Sequence, residues 1–172
     1  MSLQDLQPEQ EYYGCIFCLT TREKAVAQML ERQYAGLQAT VVSQIKHKSE
    51  RGRKYTVEHT LLPGYVFFRS QAELSIDPLR IQNVIRLLKN LEGLWQLTGR
   101  DEQFAQFVFE HDGIVGLSQA RKIGDKVSIT SGPLKELEGY IVKIDRHNRN
   151  GLVEFRFDER VWKVWLAFEI LE

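Results

Sequence analysis

Apolar and polar residues alternate along this chain in two rhythms, and the first half mixes both. Tyr12–Leu19 is apolar on both faces, which predicts a strand covered on one side or both. Thr20-Thr21-Arg22-Glu23 has the form of a capping box, with Thr20 accepting from the first helical turn and Glu23 reaching back. Val26, Met29, Leu30, Tyr34 and Leu37 then recur at helical spacing, and Gly36 marks the end. Ala39–Ile45 reads as a second strand, paired with Tyr55–Leu61 across the polar tip Lys46 to Lys54. Tyr65–Arg69 adds a third piece of sheet behind Pro63-Gly64. Ala72–Asn83 reads as a short helix with Pro78 limiting its first turn, and Val84–Leu88 as a strand. In the helix expected over Asp101–Glu110, Phe104, Phe107 and Val108 share a face. That order predicts an α+β sandwich, one antiparallel sheet with helices packed on it.

From Lys122 onward the rhythm becomes purely that of strands. Val127 and Ile129 point one way, and Lys126, Ser128 and Thr130 the other. Gly132-Pro133 turns the chain, Gly139 bends or bulges it, and Ile141, Val142 and Ile144 resume the pattern. With Leu152–Phe157 and Val161–Leu166 this predicts an all-β, SH3-like five-stranded barrel. Its Val, Ile, Phe and Trp content and its glycines disfavour helix. His111 to Arg121 loses periodicity and reads as the join. The expected organisation is therefore a polar tail over 1–10, an α+β domain over 11–111, a linker over 112–121 and a barrel over 122–172.

Composition narrows the chemistry. The 172 residues carry a formal net charge of +0, so contact with nucleic acid must come from local patches. A hydrophobic share of 43% fits a folded protein, not a disordered one. Residues 1–10 lack the basic-then-apolar form of a leader, and no window is apolar enough to span a bilayer, so a cytoplasmic location is expected, with no membrane partner. Cys15-Ile-Phe-Cys18 lies inside the first strand, where positions three apart face opposite sides; two inert buried thiols are expected, with no metal and no cofactor. His47, His59, His111 and His147 are scattered, and neither GxxxxGK[ST] nor GxGxxG occurs. No catalytic residue is assigned, and the chain is expected not to be an enzyme.

Two motifs in order carry a family resemblance. Lys122–Asp145 resembles the KOW motif of NusG transcription factors and of some ribosomal proteins. Tyr12-Tyr13 and Leu61-Leu62-Pro63-Gly64-Tyr65-Val66-Phe67 resemble the aromatic pair and the hydrophobic-Pro-Gly-Tyr-Val signature of the NusG N-terminal (NGN) domain. Within the family, Val84–Leu88, Gly113–Ala120, Gly132–Lys135 and Trp165–Leu171 are most similar to the specialised paralog LoaP, a processive antiterminator of particular operons. Housekeeping NusG usually has Pro-Gly-Val-x-Gly-Phe-Val where this chain has Gln82–Leu88. The alternatives are housekeeping NusG, acting in general elongation and Rho-dependent termination, and a ribosomal or other RNA-binding KOW protein, though those are usually more basic.

The resemblance implies an NGN-like domain that binds the clamp helices of RNA polymerase through Tyr13, Leu62, Pro63 and Tyr65. Strand alternation alone also allows Tyr65 and Leu62 to be core. It implies contacts to non-template DNA at Arg22, Lys24, Arg80, Gln82, Asn83 and Arg86. Independently of family, the tip with Lys46, Lys48, Arg51, Arg53 and Lys54 holds five cations against Glu50, a local charge of about +4 (5 − 1). It reads either as a solvated loop or as a flexible follower of a phosphate backbone. In the barrel, Arg146, Arg149, Arg156, Arg160 and Lys163 are candidates for holding a nascent RNA hairpin. Ribosomal protein S10 and Rho are the family partners of this domain. Its usual aromatic-Gly-Arg tip is here Phe157-Asp-Glu-Arg160.

Overall fold

The apolar run at the start forms β1 (Tyr12–Cys18), which pairs antiparallel with two strands at once in a computed structural model describing residues 9–172. Residues 1–8 of the expected tail lie outside the described residues. The described residues divide into two compact units, one holding those up to Val41 together with Pro63–Phe109, the other Val42–Leu62 together with Glu110–Glu172.

In the first unit, α1 (Glu23–Gln33), β2 (Gln38–Thr40), β5 (Tyr65–Ser70), β6 (Val84–Leu87) and α2 (Gly99–Glu110) accompany β1. The sheet order is β2-β5-β1-β6. Val26, Ala27 and Leu30 of α1 pack with Ile16, Cys18, Val66 and Phe68 on one face. Gly14 stands directly opposite Phe68, and any Cβ there would overlap that ring. On the other face Phe17 meets Tyr65 at 5.0 Å between ring centroids, Phe67 meets Phe104 of α2 at 5.7 Å, and Tyr13 meets Phe109 at 5.9 Å. Both faces of β1 are thus covered, as its composition predicts.

The second unit holds a three-stranded sheet, β4-β3-β7, made of β3 (Ser43–Glu50), β4 (Arg53–Thr60) and β7 (Ile114–Val115). It also holds a five-stranded sheet, β10-β11-β12-β8-β9: β8 (Ser118–Ile123), β9 (Lys126–Ser131), β10 (Ile141–Asp145), β11 (Asn150–Phe157) and β12 (Arg160–Leu171). Ala120, Ile129, Val153, Phe157, Leu166 and Phe168 are buried from these strands, with Leu134 from the short α3 (Pro133–Glu136). Gly132 takes φ +90° against the Ser118 backbone, and the Ser118 hydroxyl accepts from the Leu134 N–H at 2.9 Å. The architecture is a mixed α+β part and a β-rich part that holds most of the C-terminal half. Among the described residues no helix is long and apolar enough to cross a membrane.

Five expectations need correction. Thr21 sits at φ 77°, so α1 starts after it without a side-chain cap, and Glu23 turns inward instead of closing a capping box. Ala39–Ile45 splits into β2 and β3, which belong to different sheets. Ala72–Asn83 forms only a 3-10 turn at Pro78–Arg80, because its backbone is satisfied otherwise: the Leu74 carbonyl accepts from Trp95 at 2.7 Å and the Asp77 N–H donates to the Tyr34 hydroxyl at 3.1 Å. The tip Lys46 to Lys54 is a regular ladder with only Arg51-Gly52 unpaired. The linker expected over 112–121 contains β7 and most of β8, and the hairpin over 43–60 groups with the C-terminal part, not with the domain expected over 11–111.

The Glu23 carboxylate is buried and accepts from the Gly64 N–H at 2.8 Å. Glu23→Ala strands that N–H in the interior and is expected to cost about 1–3 kcal/mol in urea denaturation. Glu23→Gln keeps an acceptor oxygen and is expected to lose clearly less; equal losses would show that the bond contributes nothing.

Candidate nucleic-acid interface

Because β5 and β6 both run antiparallel to β1, the start of each lies beside the end of β1. The Cys18 N–H donates to the Gly64 carbonyl at 2.8 Å, and the Leu19 N–H to the Asn83 carbonyl at 2.9 Å. That geometry gathers exposed Pro63, Leu19 and Ile85 at one end of the sheet. Arg22 and Lys24 stand exposed where α1 begins, Gln82 is exposed, and Asn83 is held at φ 70°. Arg86 lies half-buried with its guanidinium 5.6 Å from the Phe17 ring centroid. Five of the six residues expected near DNA therefore share this end. Arg80 is engaged with Asp77 at 3.1 Å.

The expected exposed docking cluster is not exposed: Tyr13 is 8% accessible, Leu62 0% and Tyr65 1%, leaving only Pro63 of the four at the surface. Alternation puts Tyr65 on the face of Phe67 and Arg69, where Phe17 covers it. The Tyr13 hydroxyl donates to Glu11 at 2.7 Å, and burial, then that carboxylate, raises its pKa. Sequence reasoning missed Leu19 and Ile85, whose only signal is an apolar residue just past a strand end or on an edge strand.

In the second unit, register puts Lys46, Lys48 and Arg53 with Tyr55 on one face of the β3–β4 ladder, and Lys54 with His47 on the other. Arg51 and Gly52 make the turn at φ 47° and 78°. The β10–β11 turn is built on Asp145, whose carboxylate accepts from the Asn148 N–H and side-chain amide, each at 2.9 Å. Those bonds hold the Asp145 carboxyl below the usual carboxylate range. A groove of about 650 Å³ is lined by Lys48, Lys54 and Tyr55 of the hairpin, His147 and Arg149 of the turn, and the end of β12. A neighbouring recess of about 470 Å³ takes in Lys46, Asp145 and Trp165.

The structure thus brings Lys46, Lys48, Lys54 and Arg149 together, and it does not bring the remaining barrel cations to them. Arg146 is exposed on the turn outside the groove lining, and Arg156 and Arg160 are exposed on β11 and β12. Lys163 faces Glu154 at 3.6 Å across the ladder. Asp158 and Glu159 make the Phe157–Arg160 turn at φ 52° and 58° without glycine. Tyr55, His47 and His147 are groove residues that charge counting alone passed over.

An α+β unit and a β-rich unit each gather cations beside exposed apolar side chains. The chain is similar to the transcription termination/antitermination protein NusG of Thermus thermophilus, 25% identical over 152 residues that span 78% of this chain and 83% of that protein. A solved structure of domain interaction in Thermotoga maritima NusG aligns over 92% of this chain and 94% of its own, with 17% identity and a TM-score of 0.49. No protein-family model matches the chain.

Both cysteines are free and buried; Cys15 sits opposite Phe67, and Cys18 packs in the α1-side core, so they face opposite sides of the sheet. No group of three or more metal-ligating side chains occurs among the described residues. Desolvation, then the charge of Glu23, pushes the Cys18 thiol up to about 11 from 9.0. The unfolded chain therefore releases this proton first, and stability present below about pH 9 is lost as pH rises toward about 11. Urea midpoints for wild type and Cys18→Ala across that range check this: the alkaline decline is expected to be shallower in the variant, and parallel profiles would refute it.

Proposed function

We propose that this chain is a NusG-type transcription elongation factor that binds RNA polymerase and promotes processive antitermination, as a specialised LoaP-like paralog serving particular operons. The observation that carries the NusG-type part of this reading is the similarity to Thermus thermophilus NusG, which runs through both units. The Pro63-Gly64-Tyr65 signature and the KOW-like strands support it from the sequence. The specialised part rests on the sequence resemblance of Val84–Leu88, Gly113–Ala120, Gly132–Lys135 and Trp165–Leu171 alone.

Polymerase contact is assigned to the sheet end carrying Leu19, Pro63 and Ile85. Two exposed aliphatic side chains beside a proline offer apolar area for docking at a small ordering cost. Arg22, Lys24, Gln82, Asn83 and Arg86 flank those anchors and would run along the non-template strand by charge and polar contact, without reading bases. Binding that favours the elongating conformation over the paused one shifts the polymerase population, and hairpin-driven release becomes rarer. The second unit supplies a further contact, to nascent RNA, S10 or Rho. A factor acting on bacterial polymerase works in the cytoplasm.

The measurement is in vitro transcription across an intrinsic terminator, with co-migration on elongation complexes read in parallel. Wild type is expected to raise readthrough, and Leu19→Glu with Ile85→Glu to lower it severalfold without a drop in thermal stability. Unchanged readthrough in that variant removes the sheet end from docking. Equal readthrough on the chain's own operon and on unrelated templates would favour a housekeeping role over the specialised one.

A further inference from the structure

We infer that, within the second unit, the β3–β4 hairpin and the β10–β11 turn form one groove for single-stranded nucleic acid, with phosphates on its cationic rim and a base on Tyr55. The inference deepens the proposed function, on which it rests for the source of the strand.

Lys48, Lys54 and Arg149 line the groove, Lys54 from the opposite face of the ladder to Lys48 and Tyr55. Glu169 lines it as well, and Glu50 stands beside it, accepting from the Tyr55 hydroxyl at 3.4 Å. Lys46 and Asp145 continue it into the neighbouring recess, where Asp145 is already occupied by Asn148. Charge alone would equally suit a free phosphate. The apolar part of the lining is what discriminates: Tyr55 is 42% exposed and Leu171 39% exposed, and Lys48 stands directly opposite Tyr55 in the ladder. An aromatic ring beside a cation track is the arrangement that takes unpaired bases, since every base has a face to stack. A duplex offers the same phosphates but keeps its bases stacked inside, leaving Tyr55 and Leu171 without a partner. The volume of about 650 Å³ is in the range that encloses a small ligand, so the groove holds a short stretch of strand.

Fluorescence anisotropy with the full chain tests this, using one labelled unstructured sequence as RNA, as DNA and annealed to its complement. Both single strands are expected to bind more tightly than the duplex. Tyr55→Ala is expected to weaken them about tenfold. Lys48→Gln with Lys54→Gln is expected to reduce the slope of log affinity against log salt by about 1.4, near 0.7 for each phosphate no longer neutralised. Lys126→Gln, on exposed β9 away from the groove lining, is expected to change nothing. Tighter RNA binding identifies nascent transcript as the source, and tighter DNA binding the displaced strand. Wild type that ignores free strands, a duplex preference, or an unaltered affinity in Tyr55→Ala overturns the groove. Co-migration with elongation complexes separates the two ideas: complexes bound without strand binding sinks the groove alone, and strand binding without complexes sinks the proposed function alone.

Discussion

The pairing of β1 with β5 on one side and β6 on the other is the constraint from which the first unit follows. A strand buried on both faces must satisfy its backbone through its neighbours, and its register is fixed by what each face holds. Gly14 opposite Phe68 makes the register specific, because the ring occupies the space a side chain would need. A slip of one residue would carry Tyr13 and Phe17 to the α1 side and the smaller Gly14 to the aromatic side. Once the register is set, the ends of three strands coincide. Ile85 and Arg86 then stand at that end on β6 itself, and the turns that follow β1 and precede β5 and β6 bring Leu19, Pro63, Gln82 and Asn83 beside them.

Elements whose signal is local were legible in the sequence. The twofold apolar pattern of β1 and β5, the helical spacing behind α1 and α2, and the alternation in β9 and β11 each lie within a few consecutive residues. What was not legible depends on distant partners. The Thr20-to-Glu23 pattern is the same whether Glu23 closes a capping box or reaches Gly64, and only the fold brings Gly64 within 2.8 Å. Strand β8 is Ser-Gln-Ala-Arg-Lys-Ile, too polar to announce itself, and it is held between its hairpin partner β9 and β12, which pairs with it in parallel from about 50 residues away. Leu62 and Tyr65 show the same limit. A Pro-Gly turn flanked by large apolar residues reads alike as an anchor or as core, and the second is what the structure holds.

The cationic hairpin shows how a correct charge count conceals geometry. Five cations in nine residues mark the segment, yet a loop and a ladder present them differently. In a loop each would sample its own directions. In the ladder the side chains divide between two faces, and Tyr55 is fixed opposite Lys48. The sequence order cannot tell that the turn carrying His147 and Arg149 lines the same groove. For the same reason Arg156, Arg160 and Lys163, grouped with Arg149 by proximity along the chain, prove to belong elsewhere.

Zero net charge gives these local arrangements their weight. A polycation binds nucleic acid from a distance and indifferently, through counterion release alone. Here 23 cations and 23 acids cancel, so long-range attraction to a polyanion is weak and any affinity for one must come from contacts made at close range. Such contacts depend on which side chains stand together. At the sheet end they are aliphatic residues bordered by arginine and lysine; in the groove they are a ring and a leucine bordered by lysine and arginine. If the proposed contacts are made, the apolar group in each place is what would let the cations prefer one kind of partner over any polyanion that drifts past.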